Sequence, residues 1–205
     1  PLPVLASSCP GWICYAEKTQ AKMLPYISKV KSPQQIMGTL VKDYWATQMK
    51  LNPENIYHVS IMPCFDKKLE ASRDDFYDEK HQTRDVDTVL TSAEVIDIIK
   101  DKNIDFTTLA DAPLDDNFIK INKNGELTGI PGGSGGYAEH IMRKAAEILF
   151  GVKAAEIHTK QRKNQDFVEQ WIEIEGKKQL HFALAYGFRN IQTVARMVKS
   201  RKGCP

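Results

Sequence analysis

Leu5-Ala-Ser-Ser-Cys-Pro-Gly-Trp-Ile-Cys-Tyr-Ala-Glu-Lys18, read with its echo Ile61-Met-Pro-Cys-Phe-Asp-Lys-Lys-Leu-Glu70, decides how this chain is organised. In both stretches an apolar run stops at a cysteine beside a proline: Pro3-Val-Leu-Ala6 before Cys9, and Ile56-Tyr-His-Val-Ser-Ile-Met62 before Cys64. Such runs read as strands, and an α/β sheet gathers its functional loops at the carboxyl ends of its strands. After Cys9, Pro10 and Gly11 turn the chain, and Trp12 to Lys18 begins a helix that Pro25 interrupts. Cys9 is thereby placed at a strand-to-helix turn, where the helix dipole and exposed amides favour a thiolate. Two soft thiolates on neighbouring loops suit iron or zinc. Spacing alone favours buried structural thiols instead, because no Cys-x-x-Cys pair is present to force a metal site. Cys14 falls about 140° further round a helix of ~3.6 residues per turn, so it reads as a core or supporting thiol.

Ser32-Pro33 opens the clearest helix, with serine as N-cap, proline at the first helical position and Gln35 at the third. Its apolar rows, Ile36, Leu40, Tyr44 and Met37, Val41, Trp45, predict the core face. Gly38 in the middle is costly by helix propensity and predicts close packing against another backbone. Asn52-Pro53-Glu-Asn turns the chain into the strand Ile56 to Met62, and Ala71 to Arg84 reads as an exposed loop. Val86 to Leu90 is a third strand; Thr91-Ser92 caps a helix from Ala93 to Lys100, with Glu94 in its first turn. Repeated strand-helix alternation argues for a mostly parallel sheet covered by helices. The stretch 105–129 is acidic and broken by Pro113, Asn117, Asn124 and Gly125, so it reads as a connection between two lobes, 1–112 and 113–205.

The second lobe opens on Gly129-Ile-Pro-Gly-Gly-Ser-Gly-Gly-Tyr137 before a helix from Ala138 to Phe150 that Gly151 ends. Glycines let backbone amides approach a bulky anion, and the helix N-terminus adds a favourable dipole. The loop lacks both the Gly-Lys-Ser/Thr ending of a P-loop and the Gly-x-Gly-x-x-Gly spacing, so nucleotide binding is disfavoured. Val152 to His158, Asp166 to Ile174 and Gln179 to Ala185 read as strands, with a hairpin turn at Glu175-Gly176-Lys177. Ile191 to Lys199 reads as an amphipathic helix, and the five histidines share no metal-ligand spacing.

Twenty-eight Lys and Arg stand against 26 Asp and Glu, and the basic residues are scattered, which gives no electrostatic case for nucleic acid or an anionic membrane. No run approaches a bilayer-spanning length, and no basic segment precedes an apolar one at the start. Four cysteines in 205 residues are too few for a disulfide framework, so a reducing compartment is expected. The chain begins at Pro1 without a methionine and stops at Lys202-Gly-Cys-Pro205, so it is read as an internal fragment.

Ser8-Cys-Pro-Gly-Trp12, Met62-Pro-Cys-Phe-Asp-Lys-Lys-Leu-Glu70 and Gly132-Gly-Ser-Gly-Gly136 resemble successive motifs around the active-site cluster of iron-only hydrogenases. Ser32-Pro-Gln-Gln35, Asp66 to Arg73, His81-Gln-Thr-Arg-Asp-Val-Asp87 and Ala185-Tyr-Gly-Phe-Arg-Asn-Ile-Gln192 narrow the resemblance to the eukaryotic iron-only hydrogenase-like family, which includes a cytosolic iron-sulfur assembly component and a nuclear prelamin A recognition factor. The resemblance runs the length of the chain. It implies a hydrogenase large-subunit-like α/β fold with a mostly parallel, helix-covered sheet in each lobe. It also implies that Cys9 and Cys64 are two ligands of a four-iron, four-sulfur cluster, the other two coming from a later Cys-x-x-x-Cys motif beyond this chain. Lys67 then matches a lysine near the di-iron ligands, and Gly132, Gly133, Gly135 and Gly136 match glycines packed against the cluster.

By the same resemblance the function is that of a non-catalytic adaptor in cytosolic iron-sulfur protein assembly, binding early scaffold and late targeting factors. Its place is the cytoplasm, with the nucleus as a second compartment, and neither nucleic acid nor membrane is a partner. Two rival readings are a hydrogenase-type oxidoreductase and a prelamin A tail-binding module. Hydrogenases commonly carry cysteine where this chain has Ser8, and a serine hydroxyl is too weakly acidic to replace a thiol easily in a proton relay.

Overall fold

The structure, a computed structural model, describes residues 2–114, 120–130, 136–153, 155–162 and 164–200. The chain divides into two compact units, Pro1–Ala110 and Asp111–Pro205.

In the first unit, helix α1 (Pro10–Thr19) follows directly on Cys9, its N-cap residue, and has proline in its first turn. The apolar run before it makes a single parallel bridge, Leu5 with Ile27, rather than a full strand. Ser32 caps α2 (Pro33–Thr39), its hydroxyl accepting from the Gln35 N–H at 3.3 Å. The helix continues through a π-helical turn, Leu40–Trp45, into α3 (Ala46–Met49).

The expected core face of this helix is corrected by the structure. Ile36, Met37, Leu40 and Tyr44 are exposed, while Gln34, Gln35, Gly38, Lys42 and Ala46 are buried. The cause is local. A Cβ built on Gly38 would stand 2.4 Å from the Asp85 carbonyl oxygen, so the glycine side is the one that can approach that backbone. Gln34, Gly38, Lys42 and Ala46 recur every four residues and turn inward together, and Ile36, Leu40 and Tyr44, two residues out of step, turn outward. The predicted close backbone approach at Gly38 is what sets this orientation.

Strand β1 (Val59–Met62) leads into α4 (Asp66–Ala71). The stretch expected as a bare loop holds a small antiparallel ribbon, β2 (Tyr77–Asp78) with β3 (Thr83–Arg84). Strand β4 (Thr88–Thr91) then pairs in parallel with β1, Val59 opposite Thr88 and Met62 opposite Thr91. Thr91 begins α5 (Ser92–Asp101) with a full capping box: its hydroxyl accepts from Glu94 N–H and the Glu94 carboxylate accepts from Thr91 N–H. Ala71, Val86 and Val89 form a small apolar core with Met62 against it.

The second unit carries an antiparallel ribbon, β5 (Lys120–Ile121) with β6 (Leu127–Thr128), and then helix α6 (Gly136–Phe150). Gly151, at φ +70°, closes that helix with its N–H on the Glu147 carbonyl at 3.0 Å. Strands β7 (His158–Gln161), β8 (Phe167–Ile174) and β9 (Lys177–Ala185) form one sheet in that order, followed by α7 (Phe188–Ser200). Both pairings are antiparallel, which corrects the expectation of a mostly parallel sheet in this lobe. The two-residue turn Glu175-Gly176, both at positive φ, returns the chain directly and leaves no length for a crossover helix. The first of the three strands starts at His158, where the sequence ended it. Met142, Ala146, Ala155 and Ile172 make the core between α6 and the sheet.

Candidate iron-sulfur site

Cys9 and Cys64 each precede a helix: Cys9 is the N-cap residue of α1, and Cys64 stands two residues before the start of α4, after β1. Each stands at or just before the start of a helix, and each carbonyl accepts the N–H three residues on: Trp12 to Cys9 at 3.3 Å and Lys67 to Cys64 at 3.2 Å. The N–H of Cys9 is in turn held by the Ser7 hydroxyl at 3.1 Å. Cys9 is exposed and Cys64 and Cys14 are half-buried; none of the three is in a disulfide. An exposed thiol at a helix start is not the buried structural thiol that spacing alone suggested.

Helices α1 and α4 are fastened together at the end of α1 away from Cys9. The Arg73 guanidinium, just past α4, makes a two-pronged ion pair with Glu17 of α1, at 2.8 and 3.1 Å. That hydrogen bonding holds the Glu17 carboxyl below its ordinary range. At the other end of α1, a Cβ on Gly11 would lie 3.4 Å from Cys9 Sγ and 2.8 Å from Asp66 Oδ2. Glycine is therefore required there because the Asp66 carboxylate and the Cys9 sulfur already pack against its backbone. An exposed thiol is the soft donor that an iron-sulfur group takes, although these residues supply only part of its ligand set.

Lys67 is buried, and its ammonium is held by both oxygens of Glu70, at 3.1 and 3.2 Å. Glu70 also accepts from the Ser32 hydroxyl at 2.5 Å, while Gln34 donates to the Lys67 carbonyl at 3.2 Å and accepts from Ser60 at 3.0 Å. A buried charge needs such partners. Lys68 is committed elsewhere, to Glu94 and to the Val89 carbonyl. Both lysines of the Asp66 to Glu70 run thus have carboxylate partners, and Asp66 is the charge beside Cys9.

Of the glycines expected around a cluster, Gly136 starts α6, whereas Gly132, Gly133 and Gly135 lie outside the described residues, as does Cys204. Among the described residues no three His, Cys, Asp or Glu side chains converge as a metal-binding group. No described helix is long and apolar enough to cross a membrane. Reading the sequence missed Asp66 and the Gln34–Glu70 network; the available signal was Gly11, a residue without a side chain set between the first cysteine and its helix.

Comparison with known proteins identifies the family. The model of the iron only hydrogenase large subunit, C-terminal domain, matches residues 1–204. The chain is 53% identical over its whole length to the mouse (Mus musculus) protein named cytosolic iron-sulfur assembly component 3, of which it covers 43%. It is 48% identical to Protein NAR1 of Arabidopsis thaliana, over 98% of this chain and 44% of that protein. The chain thus spans less than half the length of these curated relatives. Among solved structures, a variant of the FeFe-hydrogenase HydA1 from Chlamydomonas reinhardtii superposes with a TM-score of 0.78 at 26% identity, over 99% of this chain and 57% of that one. An FeFe-hydrogenase structure concerned with oxygen inactivation of the H cluster gives 0.77 at 27% identity, over 99% and 56%. The chain belongs to the family formed by the C-terminal domain of the iron-only hydrogenase large subunit.

Proposed function

We propose that Cys9 and Cys64 are two of four thiolate ligands to a four-iron, four-sulfur cluster, and that the full-length protein acts without catalysis in cytosolic iron-sulfur protein assembly. The observation that carries the site is the placement of each cysteine just ahead of a helix, its carbonyl accepting the N–H three residues on, with the Cys9 sulfur exposed. The assembly role is supported by relatives about half identical to this chain that bear assembly names. The bound cluster supplies one-electron redox capacity or transferable iron and sulfide. The chain's own residues hold its sulfur donors at two helix starts and fix α1 against α4 through Glu17 and Arg73. Lys67, tied to Glu70, would support the Cys64 turn. The remaining ligands come from a later Cys-x-x-x-Cys motif in the longer protein. Partners are the scaffold and targeting factors of the same assembly route, met in the cytoplasm and also in the nucleus.

The test is made in the full-length protein. Cys9→Ser and Cys64→Ser lose cluster iron and fail to support maturation of cytosolic iron-sulfur clients, with folding of each variant checked by circular dichroism. Folded variants that keep both iron and client maturation overturn the reading. Hydrogen turnover by the wild-type protein would move it to the hydrogenase class, which the fold also permits.

A further inference from the structure

We infer that Asp66 faces the iron-sulfur group held at Cys9 and, by its negative charge, lowers that group's reduction potential; this rests on the assignment of Cys9 as a ligand. The geometry is set by Gly11. The missing Cβ marks a point 3.4 Å from Cys9 Sγ and 2.8 Å from Asp66 Oδ2, so the sulfur donor and the carboxylate pack side by side against the same glycine. A group bonded through Cys9 Sγ has this carboxylate among its nearest protein charges. The lysines that follow Asp66 do not cancel it: Lys67 sits on Glu70 at 3.1 Å and Lys68 on Glu94 at 2.9 Å. The usual role of an acid in the first turn of a helix is to stabilise the dipole, and Asp66 does this for α4 as well. That role leaves the position of the carboxylate beside Cys9 unexplained, and it is served equally by a residue pointing away.

The consequence follows from Coulomb's law. Reduction adds an electron to a cluster that is already anionic, and a fixed negative charge a few ångströms away opposes it. Asp66 is half-buried, so water screens it less than a surface acid. The chain thereby biases its cluster to the oxidised state. The ammonium of Lys67, the residue that the resemblance puts near the di-iron ligands, is paired with Glu70.

The experiment is a redox titration of the full-length, cluster-loaded protein followed by electron paramagnetic resonance, with iron content measured in parallel. Asp66→Asn and Asp66→Ser, two neutral variants of different size, shift the midpoint upward, and Asp66→Glu keeps it near the wild-type value. An unchanged midpoint in whichever neutral variant folds overturns the inference, as does release of iron from that variant, which would make Asp66 a holding residue. Cys9→Ser separates the two claims. If it keeps wild-type iron and midpoint, the ligand assignment itself has failed. If it loses iron while the neutral Asp66 variants leave the midpoint unmoved, only the role of Asp66 is lost.

Discussion

Gly38 and the backbone of Asp85 are in contact so close that an added Cβ would stand 2.4 Å from the Asp85 carbonyl oxygen and 2.7 Å from its carbon. Two effects then oppose each other in Gly38→Ala. Helix propensity favours alanine by about 1 kcal/mol. Overpacking against a backbone atom, which cannot swing aside as a side-chain tip can, costs about 3 kcal/mol. The clash wins, and the variant unfolds at lower denaturant, by about 2 kcal/mol net. An increase in stability measured by urea denaturation would show that the two elements are not in contact.

Lys42 is buried on the same face, with its ammonium on Asp87 at 2.8 Å, on the Thr83 hydroxyl at 2.8 Å and on the Ile56 carbonyl. Lys42→Met leaves Asp87 largely buried without its cation, a loss of about 3–5 kcal/mol. A double-mutant cycle with Asp87→Asn measures how much of this is the pair itself. A coupling energy near zero would remove the ion pair from the account.

The outward row of the same helix gives the converse test. Ile36→Ser and Leu40→Ser change the stability of this chain by no more than about 0.5 kcal/mol each, because both residues are already exposed. Were this row the core face, each would cost about 2–5 kcal/mol. Chemical denaturation distinguishes the two outcomes by a wide margin.

Glu94 makes the first turn of α5 sensitive to acid. Its carboxylate accepts from the Thr91 N–H and from Lys68, which takes its pKa from 4.5 down to about 2. The folded value lies below the unfolded one, so the stabilisation is complete above about pH 4.5 and is lost as the pH falls towards 2. Glu94→Gln lacks this component, and its stability profile runs flatter than the wild type across that window. Parallel profiles in acid titration followed by circular dichroism would exclude the linkage.

Ser8 tests the functional class. The structure places it in a bend before Cys9, and it is Ser7 whose hydroxyl accepts from the Cys9 N–H. Ser8→Ala leaves client maturation by the full-length protein within about twofold of wild type, because a residue needed only for relaying protons contributes nothing to holding a cluster. Loss of hydrogen turnover in this variant, with clients unaffected, would favour the hydrogenase class.

Local chemistry fixed much of the architecture in advance. Ser32, Thr91 and Gly151 act within one turn of themselves, so the helix ends they mark are legible without knowing what packs nearby. The same holds for the Glu175-Gly176 turn and for the turn at Cys9, where Pro10 and Gly11 dictate the break. What the sequence could not decide was which face of the Ser32 helix is inside. Apolarity points to Ile36 and Leu40, yet the close approach at Gly38 and the polar network of Gln34, Lys67 and Glu70 turn the other side inward.

The site divides along the same line. The turns that carry Cys9 and Cys64 were legible, because the position of a residue relative to the helix that follows it is local. Lys67 finds Glu70 within its own helix, but the contacts of Ser32 and Gln34 with that pair and the place of Asp66 depend on how α4 lies against α1 and the start of α2, segments remote in the chain. Contacts between remote segments leave no periodicity to read. Gly11 and Gly38, where a side chain is missing because something else fills the space, are what mark them in the sequence.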